Sequence, residues 1–271
     1  MGKRALGLGV LALLLTACGG TAGSTAGDSA APPAVPTSTS SADPTPVATP
    51  TPSADPTPVA TPTPSPTGVN IDGCITKKNG KIFKYTREGM TTQGVIMGKG
   101  SVGVVVSYER HGRVCDWLPL ADRLVGEGYR VLLFDRNNTA TPEKDTVAMA
   151  DRLREAGVTK MFLVGGSMGG RLSVLAAGML KFPVAGVISI SGGMQPHEAA
   201  DLTAPFLQVA GDQDGIAPTD LVQAIYNEAV KSADRQLVFL TSRDHASQLF
   251  RSDQAERTFT LVTAFIKKHK G

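Results

Sequence analysis

The sequence predicts an α/β domain in which a mostly parallel central sheet carries helices on both faces. Three observations carry that expectation. From about residue 100 onward, short β-branched runs alternate with helix-like segments, and such alternation implies right-handed crossovers onto a parallel sheet. VGVVVSY (102–108) is apolar almost throughout rather than at every second position, as in a strand buried on both faces. Glycine and proline fall between the segments, where helices start and stop.

Taken in order, KIFKYTRE and GVIMG form an antiparallel β pair, and VGVVVSY is the first buried strand. A helix over 116–126 is stopped by GEG, and YRVLLFD (129–135) is the next strand. A helix over 142–157 has proline at its start and glycine at its end. KMFLVGG (160–166) is a strand, and 171–181 lies in a helix. VAGVISIS (184–191) and PFLQVAG (205–211) are strands; a helix over 219–232, the strand RQLVFL (235–240) and a closing helix over 254–268 complete the chain. The folded domain is expected over 69–271.

What precedes it is of another kind. MGKR is a short positive segment, and ALGLGVLALLLTA is an apolar run shorter than the roughly 20 residues that a membrane span needs. It ends in LTAC, which resembles the bacterial lipobox. That resemblance implies a signal peptide over 1–17, cleavage before Cys18, and lipidation of Cys18 as a membrane anchor. Residues 19–68 are Gly, Ser, Thr, Ala and Pro with almost no large apolar side chain, and SADPTPVATPTP occurs twice in tandem over 41–64. Such a segment buries too little to offset its ordering entropy. It is expected to be a disordered stalk, reaching about 150 Å if fully extended as polyproline II. The implied location is the bacterial cell envelope, outside the cytoplasm.

Composition excludes several function classes. Net charge is +3, and two of the basic residues, Lys3 and Arg4, lie in the signal segment. The remainder is almost neutral, so no nucleic-acid partner is expected. Three cysteines and four histidines are dispersed without a CxxC, so no metal site is expected. GKGSVG (98–103) spells a dinucleotide fingerprint, but a strand follows it where that site needs a helix. No cofactor is expected, and the protein is expected to be a monomer. Cys74 and Cys115 remain after lipidation, and an oxidising compartment favours a disulfide between them.

GGSMG (165–169) is G-x-S-x-G at the end of an apolar strand and just before a helix. In that setting the motif makes a sharp turn that exposes the serine hydroxyl and brings backbone N–H groups close to it. A serine nucleophile needs a base, and the base needs an orienting acid. AGDQDGIAP (210–218) and SRDHASQ (242–248) follow later strands and supply both in the order Ser, acid, His. Here the chain resembles the α/β-hydrolase superfamily, over roughly residues 85 to 270, and its compactness is similar to the dienelactone-hydrolase-type members. The family pattern G-x-x-D-x-x-x-P maps onto Gly211, Asp214 and Pro218. The resemblance therefore implies Ser167 as nucleophile, Asp214 as acid, with Asp212 as the fallback, and His245 as base. His197 and His269 are read as surface or structural residues. His111, in the loop after the first buried strand, is less readily assigned.

That loop departs from the family. Many members carry His-Gly there, where this chain has Tyr108 and Glu109. The implied oxyanion donors are then the amide of Met168 and that of Glu109 or Arg110; a Glu109 carboxylate aimed into the hole would oppose an oxyanion. No room exists for a lid between the strands at 184–191 and 205–211. The resemblance implies a carboxylic-ester hydrolase acting on a small or surface-presented ester through an acyl-enzyme. The alternatives are an amide or thioester hydrolase or an acyltransferase with the same triad, and a non-catalytic binding module of hydrolase ancestry.

Overall fold

The computed structural model describes residues 70–136 and 139–271. The expected signal peptide over 1–17, Cys18 and the expected stalk over 19–68 lie outside the described residues. The elements run β1 (Lys81–Arg87), β2 (Met90–Met97), β3 (Val102–Ser107), α1 (Leu118–Gly126), β4 (Arg130–Phe134), α2 (Glu143–Glu155), β5 (Lys160–Gly166), α3 (Met168–Met179), β6 (Gly186–Ile190), β7 (Phe206–Gly211), α4 (Thr219–Glu228), β8 (Arg235–Leu240) and α5 (Ala255–His269). They build an eight-stranded sheet ordered β1-β2-β4-β3-β5-β6-β7-β8. The pairs β1–β2 and β2–β4 are antiparallel, and every other pair is parallel.

The parallel part starts at β3, steps to β4 on one side and then crosses to β5 on the other. With right-handed crossovers, steps in opposite directions place their helices on opposite faces. The side chains of the strands divide accordingly. Val104, Val106, Val131, Leu133, Phe162 and Val164 join α1 residues Leu120 and Leu124 and α5 residues Val262 and Phe265 in one core layer. Val105, Leu132, Met161 and Leu163 point the other way, onto Met149 and Leu153 of α2 and Val174 of α3. This period-two division is why the strands are apolar at successive positions.

Several boundaries differ from those expected; β2, for example, begins at Met90 rather than at 94. The segment at 116–126 opens with a 3₁₀ turn, Val114–Trp117, before α1 begins at Leu118. Helix α3 starts at Met168, immediately after the serine. Helix α4 ends at Glu228 rather than at 232: its buried stripe of Val222, Ile225 and Ala229 stops at the cap, and the next apolar residue, Val230, is 66% exposed.

Cys74 and Cys115 form a disulfide with a Cα–Cα distance of 5.8 Å. It fastens the segment around Ile71 and Ile75, both buried in the core, to the 3₁₀ turn that precedes α1. Arg113 bridges Asp72 at 3.0 Å, and Arg251 donates to Asp116 Oδ1 at 3.0 Å and to the Cys115 carbonyl at 3.1 Å. The cross-link spans a sequence separation of 41. Replacing both cysteines, Cys74→Ser with Cys115→Ser, is expected to remove about 4 kcal/mol of unfolded-chain constraint. Calorimetry should then show Tm lowered by about 10 °C, and reductant should shift the unaltered chain in the same direction.

Candidate active site

Ser167 sits at the C-terminal end of β5, between the ends of β3 and β6, where open α/β sheets present ligand sites. Its backbone has φ 49° and ψ −118°. A non-glycine residue in such a conformation carries roughly 1–3 kcal/mol of strain, so the surroundings must hold it. The Ser167 N–H donates to the Ile190 carbonyl at 2.8 Å. The Ser167 carbonyl accepts from Gly170, Gly193 and Arg171 N–H at 2.9, 3.2 and 3.3 Å. The flanking glycines are required by close approach: a methyl at Gly165 would lie 2.1 Å from the Gly169 carbonyl oxygen, and one at Gly169 would lie 1.9 Å from that of Ser107. As the first residue of α3, Met168 has no intrahelical acceptor for its N–H.

His245 follows β8 and lines the same cleft as Ser167. Its Nδ1 lies 2.8 Å from Asp214 Oδ2. The other Asp214 oxygen accepts from the Ile216 and Ala217 amides at 2.9 and 3.1 Å. Asp214 is 4% exposed. Burial alone would raise its carboxyl, but the hydrogen bonds from His245 and the two amides outweigh burial and hold it below the ordinary carboxylate value. A depressed folded value stabilises the fold above the usual carboxylate range, and this contribution is lost as pH falls through the folded value. Asp212 is engaged elsewhere, accepting from the Ser242 amide at 3.2 Å. His269 lies beside Asp234, with Nε2 at 2.9 Å from Oδ2, and His197 is exposed in a 3₁₀ turn. His111 does line the cleft, at φ 62°.

The loop after β3 is organised from the inside. The Glu109 carboxylate is buried, where it accepts from Trp117 Nε1 at 2.8 Å and from the Ser247 hydroxyl. Its charge is therefore drawn into the protein rather than aimed at the serine. Arg136 grips the backbone of the same loop: Nη1 donates to the Tyr108 carbonyl at 2.6 Å and Nη2 to the Glu109 carbonyl at 3.2 Å. In a trans peptide the N–H points opposite to its C=O. Holding those two carbonyls thus turns the Glu109 and Arg110 N–H groups away from the guanidinium. The Arg136 guanidinium also stacks on the Tyr108 ring, 4.4 Å from its centroid. Burial lowers the Arg136 guanidinium from its ordinary value and pushes the Tyr108 phenol up to about 12. That phenol donates to Asp135 Oδ1 at 2.9 Å and accepts from the Arg136 N–H at 2.8 Å.

Sequence reasoning did not single out Arg136, Ser191 or Gly193. Ser191 Oγ accepts from the Ala246 amide at 3.1 Å, which fixes the residue after His245 at φ 50°. Gly193 faces the Ser167 hydroxyl, where a methyl would lie 3.5 Å from Oγ. A signal existed for Ser191 and Gly193, which follow β6 at its C-terminal end, beside the strand that leads into Ser167.

The cleft has a volume of about 640 Å³. Arg110, His111, Arg171 and Glu198 contribute its polar lining, and Met194, Ile216 and Leu221 its apolar lining. A depression of about 570 Å³ at the opposite ends of β6 and β7, lined by residues such as Phe182, Pro183 and Leu202, contains no Ser, Cys or His.

No protein-family model matches the chain, and no curated protein matches it by sequence. Solved structures do match. An esterase of Pyrococcus furiosus superposes with a TM-score of 0.64 at 15% identity, covering 73% of this chain and 97% of that one. Est1E of Butyrivibrio proteoclasticus, solved with ferulic acid bound, has a TM-score of 0.59 at 15% identity and covers 69% and 98%. The esterase domain of a Rhodothermus marinus protein has a TM-score of 0.60 at 16% identity and covers 70% and 99%. Sheet order, crossover pattern and these likenesses together show that the chain has the α/β-hydrolase fold, with no sizeable lid among the described residues.

Proposed function

We propose that this protein is a serine hydrolase that cleaves carboxylic esters through an acyl-enzyme. The observation that carries the reading is the strained Ser167 sharing one cleft with His245, whose Nδ1 is held by a buried, ionised Asp214. Ser167 Oγ attacks the ester carbonyl carbon as His245 Nε2 takes its proton. Asp214 fixes the imidazole and stabilises its charged form. The Met168 N–H and an amide of the Glu109–Arg110 segment receive the oxyanion. Collapse expels the alcohol, which takes the proton from His245. Water then attacks the acyl-serine, giving its proton to His245, and the acid leaves as the serine is restored.

The buried position of the Glu109 carboxylate supports this reading over a non-catalytic binding module, because no acid from the loop opposes the developing charge. The lidless connection over 191–205, with only a short 3₁₀ turn at Pro196–Ala199, suits a small ester or one presented on a surface. The LTAC motif and the Pro/Thr-rich segment support an enzyme anchored through Cys18 and held off a bacterial membrane by its stalk.

A fluorophosphonate probe tests the nucleophile. The full chain is expected to label stoichiometrically, and Ser167→Ala to remain unlabelled while folded. Labelling that persists in Ser167→Ala, or a folded wild-type chain that does not label, would overturn the reading. Asp214→Asn is expected to lower ester turnover on the order of 10³–10⁴-fold, since the imidazole loses its orienting charge. Arg136→Gln frees the two carbonyls of the oxyanion loop. Steady-state kinetics should show a loss of about 10²-fold, chiefly in kcat, with Tm measured alongside to separate misfolding from misplaced donors.

A further inference from the structure

We propose that the cleft selects esters that carry a negative charge, and that the Arg110 side chain makes the selection; the inference rests on the serine-hydrolase reading above. Two guanidinium groups line the cleft, and they are differently employed. Arg171 is neutralised: Nη2 lies 2.6 Å from Glu198 Oε1, and Nε donates to both oxygens at 2.8 and 3.0 Å. Arg171 in turn holds the Glu198 carboxyl below its ordinary value. Glu198 is the carboxylate that lines the cleft, so the cleft's own negative charge is already paired.

Arg110 is exposed, and its guanidinium lies over Met168, with Nη2 3.8 Å from the thioether sulfur. A thioether is a weak acceptor. Among the described residues no carboxylate forms an ion pair with Arg110. A planar cation with five donors is thus held over the residue next to the nucleophile. Arg136 lies behind the loop, bonded to two backbone carbonyls, and the nearby Glu109 and Asp135 carboxylates offset its charge, which leaves Arg110 as the unpaired cation of the cleft lining. Burial is the chief cause that lowers the Arg136 guanidinium; the Glu109 and Asp135 carboxylates oppose it, and the Arg110 charge adds a smaller lowering effect. A cleft with low-dielectric walls focuses the field of such a cation on an incoming ligand.

The apolar lining limits what the rest of the ligand can be. Met194, Ile216 and Leu221 form it, and Ile216 is 69% exposed. The complementary substrate lays an apolar chain along these residues and places an anion, a carboxylate or a phosphate, against the fork of Arg110, which binds such groups through paired hydrogen bonds. A neutral ester gains only the apolar contact.

The test compares two nearly isosteric substrates of the full chain, mono-p-nitrophenyl glutarate and p-nitrophenyl valerate, in which a carboxylate replaces a methyl. The ratio of their kcat/KM values is the readout, because a general loss of catalysis cancels in it. The glutarate ester is expected to be preferred by about tenfold or more through KM. The preference should shrink with added salt, fall to near unity in Arg110→Gln, and be partly retained in Arg110→Lys. Competition by glutarate and by inorganic phosphate separates a carboxylate-specific subsite from a general anion subsite. Equilibrium binding of both esters to Ser167→Ala gives a readout that needs no turnover. A wild-type ratio near unity, or one unchanged in Arg110→Gln, overturns the proposal. Hydrolysis of neither ester with an Arg110-dependent binding preference would sink the hydrolase reading and leave the anion subsite standing. No hydrolysis and no preference would remove both.

Discussion

The arrangement around the site depends on one backbone constraint, the conformation of Ser167. At φ 49° and ψ −118° the residue turns the chain from β5 directly into α3. Its amide is taken up by the end of β6, through Ile190, and its carbonyl by the helix it starts and by Gly193 of the next loop. Neighbouring strands and the helix therefore share the strain. Because α3 starts so abruptly, its first turn is driven against the end of β3, and only glycine at 169 lets the Ser107 carbonyl pass. Loop, strand end and helix start are thereby brought within reach of one hydroxyl.

A second constraint works through buried charge. Glu109 and Arg136 lie close together with opposite charges, yet the carboxylate and the guanidinium do not pair with each other. The carboxylate is satisfied by Trp117 and Ser247, and the guanidinium by two main-chain carbonyls. A buried charge left without such partners would be costly. This division links the loop to α1, to the turn after His245 and to the end of β4. The disulfide at Cys115 secures the same neighbourhood from the N-terminal side.

Much of this was legible in the residues. The buried strands β3 to β7 were readable because the core is two-layered, which makes them largely apolar at successive positions and the punctuation sharp. Ser167, Asp214 and His245 each follow a strand end within a recognisable local pattern, and the structure brings His245 to Asp214 and to the cleft of Ser167. Side-chain direction was not readable. Nothing in YERHG states whether Glu109 faces the serine or the core, since that depends on Trp117 and Ser247, eight and 138 positions away. The role of Arg136 was hidden for the same reason: its acceptors are carbonyls, which every residue carries. The helix ends at 118 and 228 depend on where a tertiary apolar surface begins and stops, which local propensity does not encode.

The short connection between β6 and β7 has a kinetic and an evolutionary side. With no helical layer to swing open and shut among the described residues, a hydrolase of the proposed kind would lack the gating step that limits turnover in lidded enzymes. On the proposed reading, water would have standing access to an acyl-serine, which favours hydrolysis over transfer to a second alcohol. Discrimination between substrates would then fall to wall residues such as Arg110 and Ile216, which are solvent-exposed and bear little of the fold's stability. Such a cleft can drift from one substrate to another by single surface substitutions while the elbow beneath it stays unchanged.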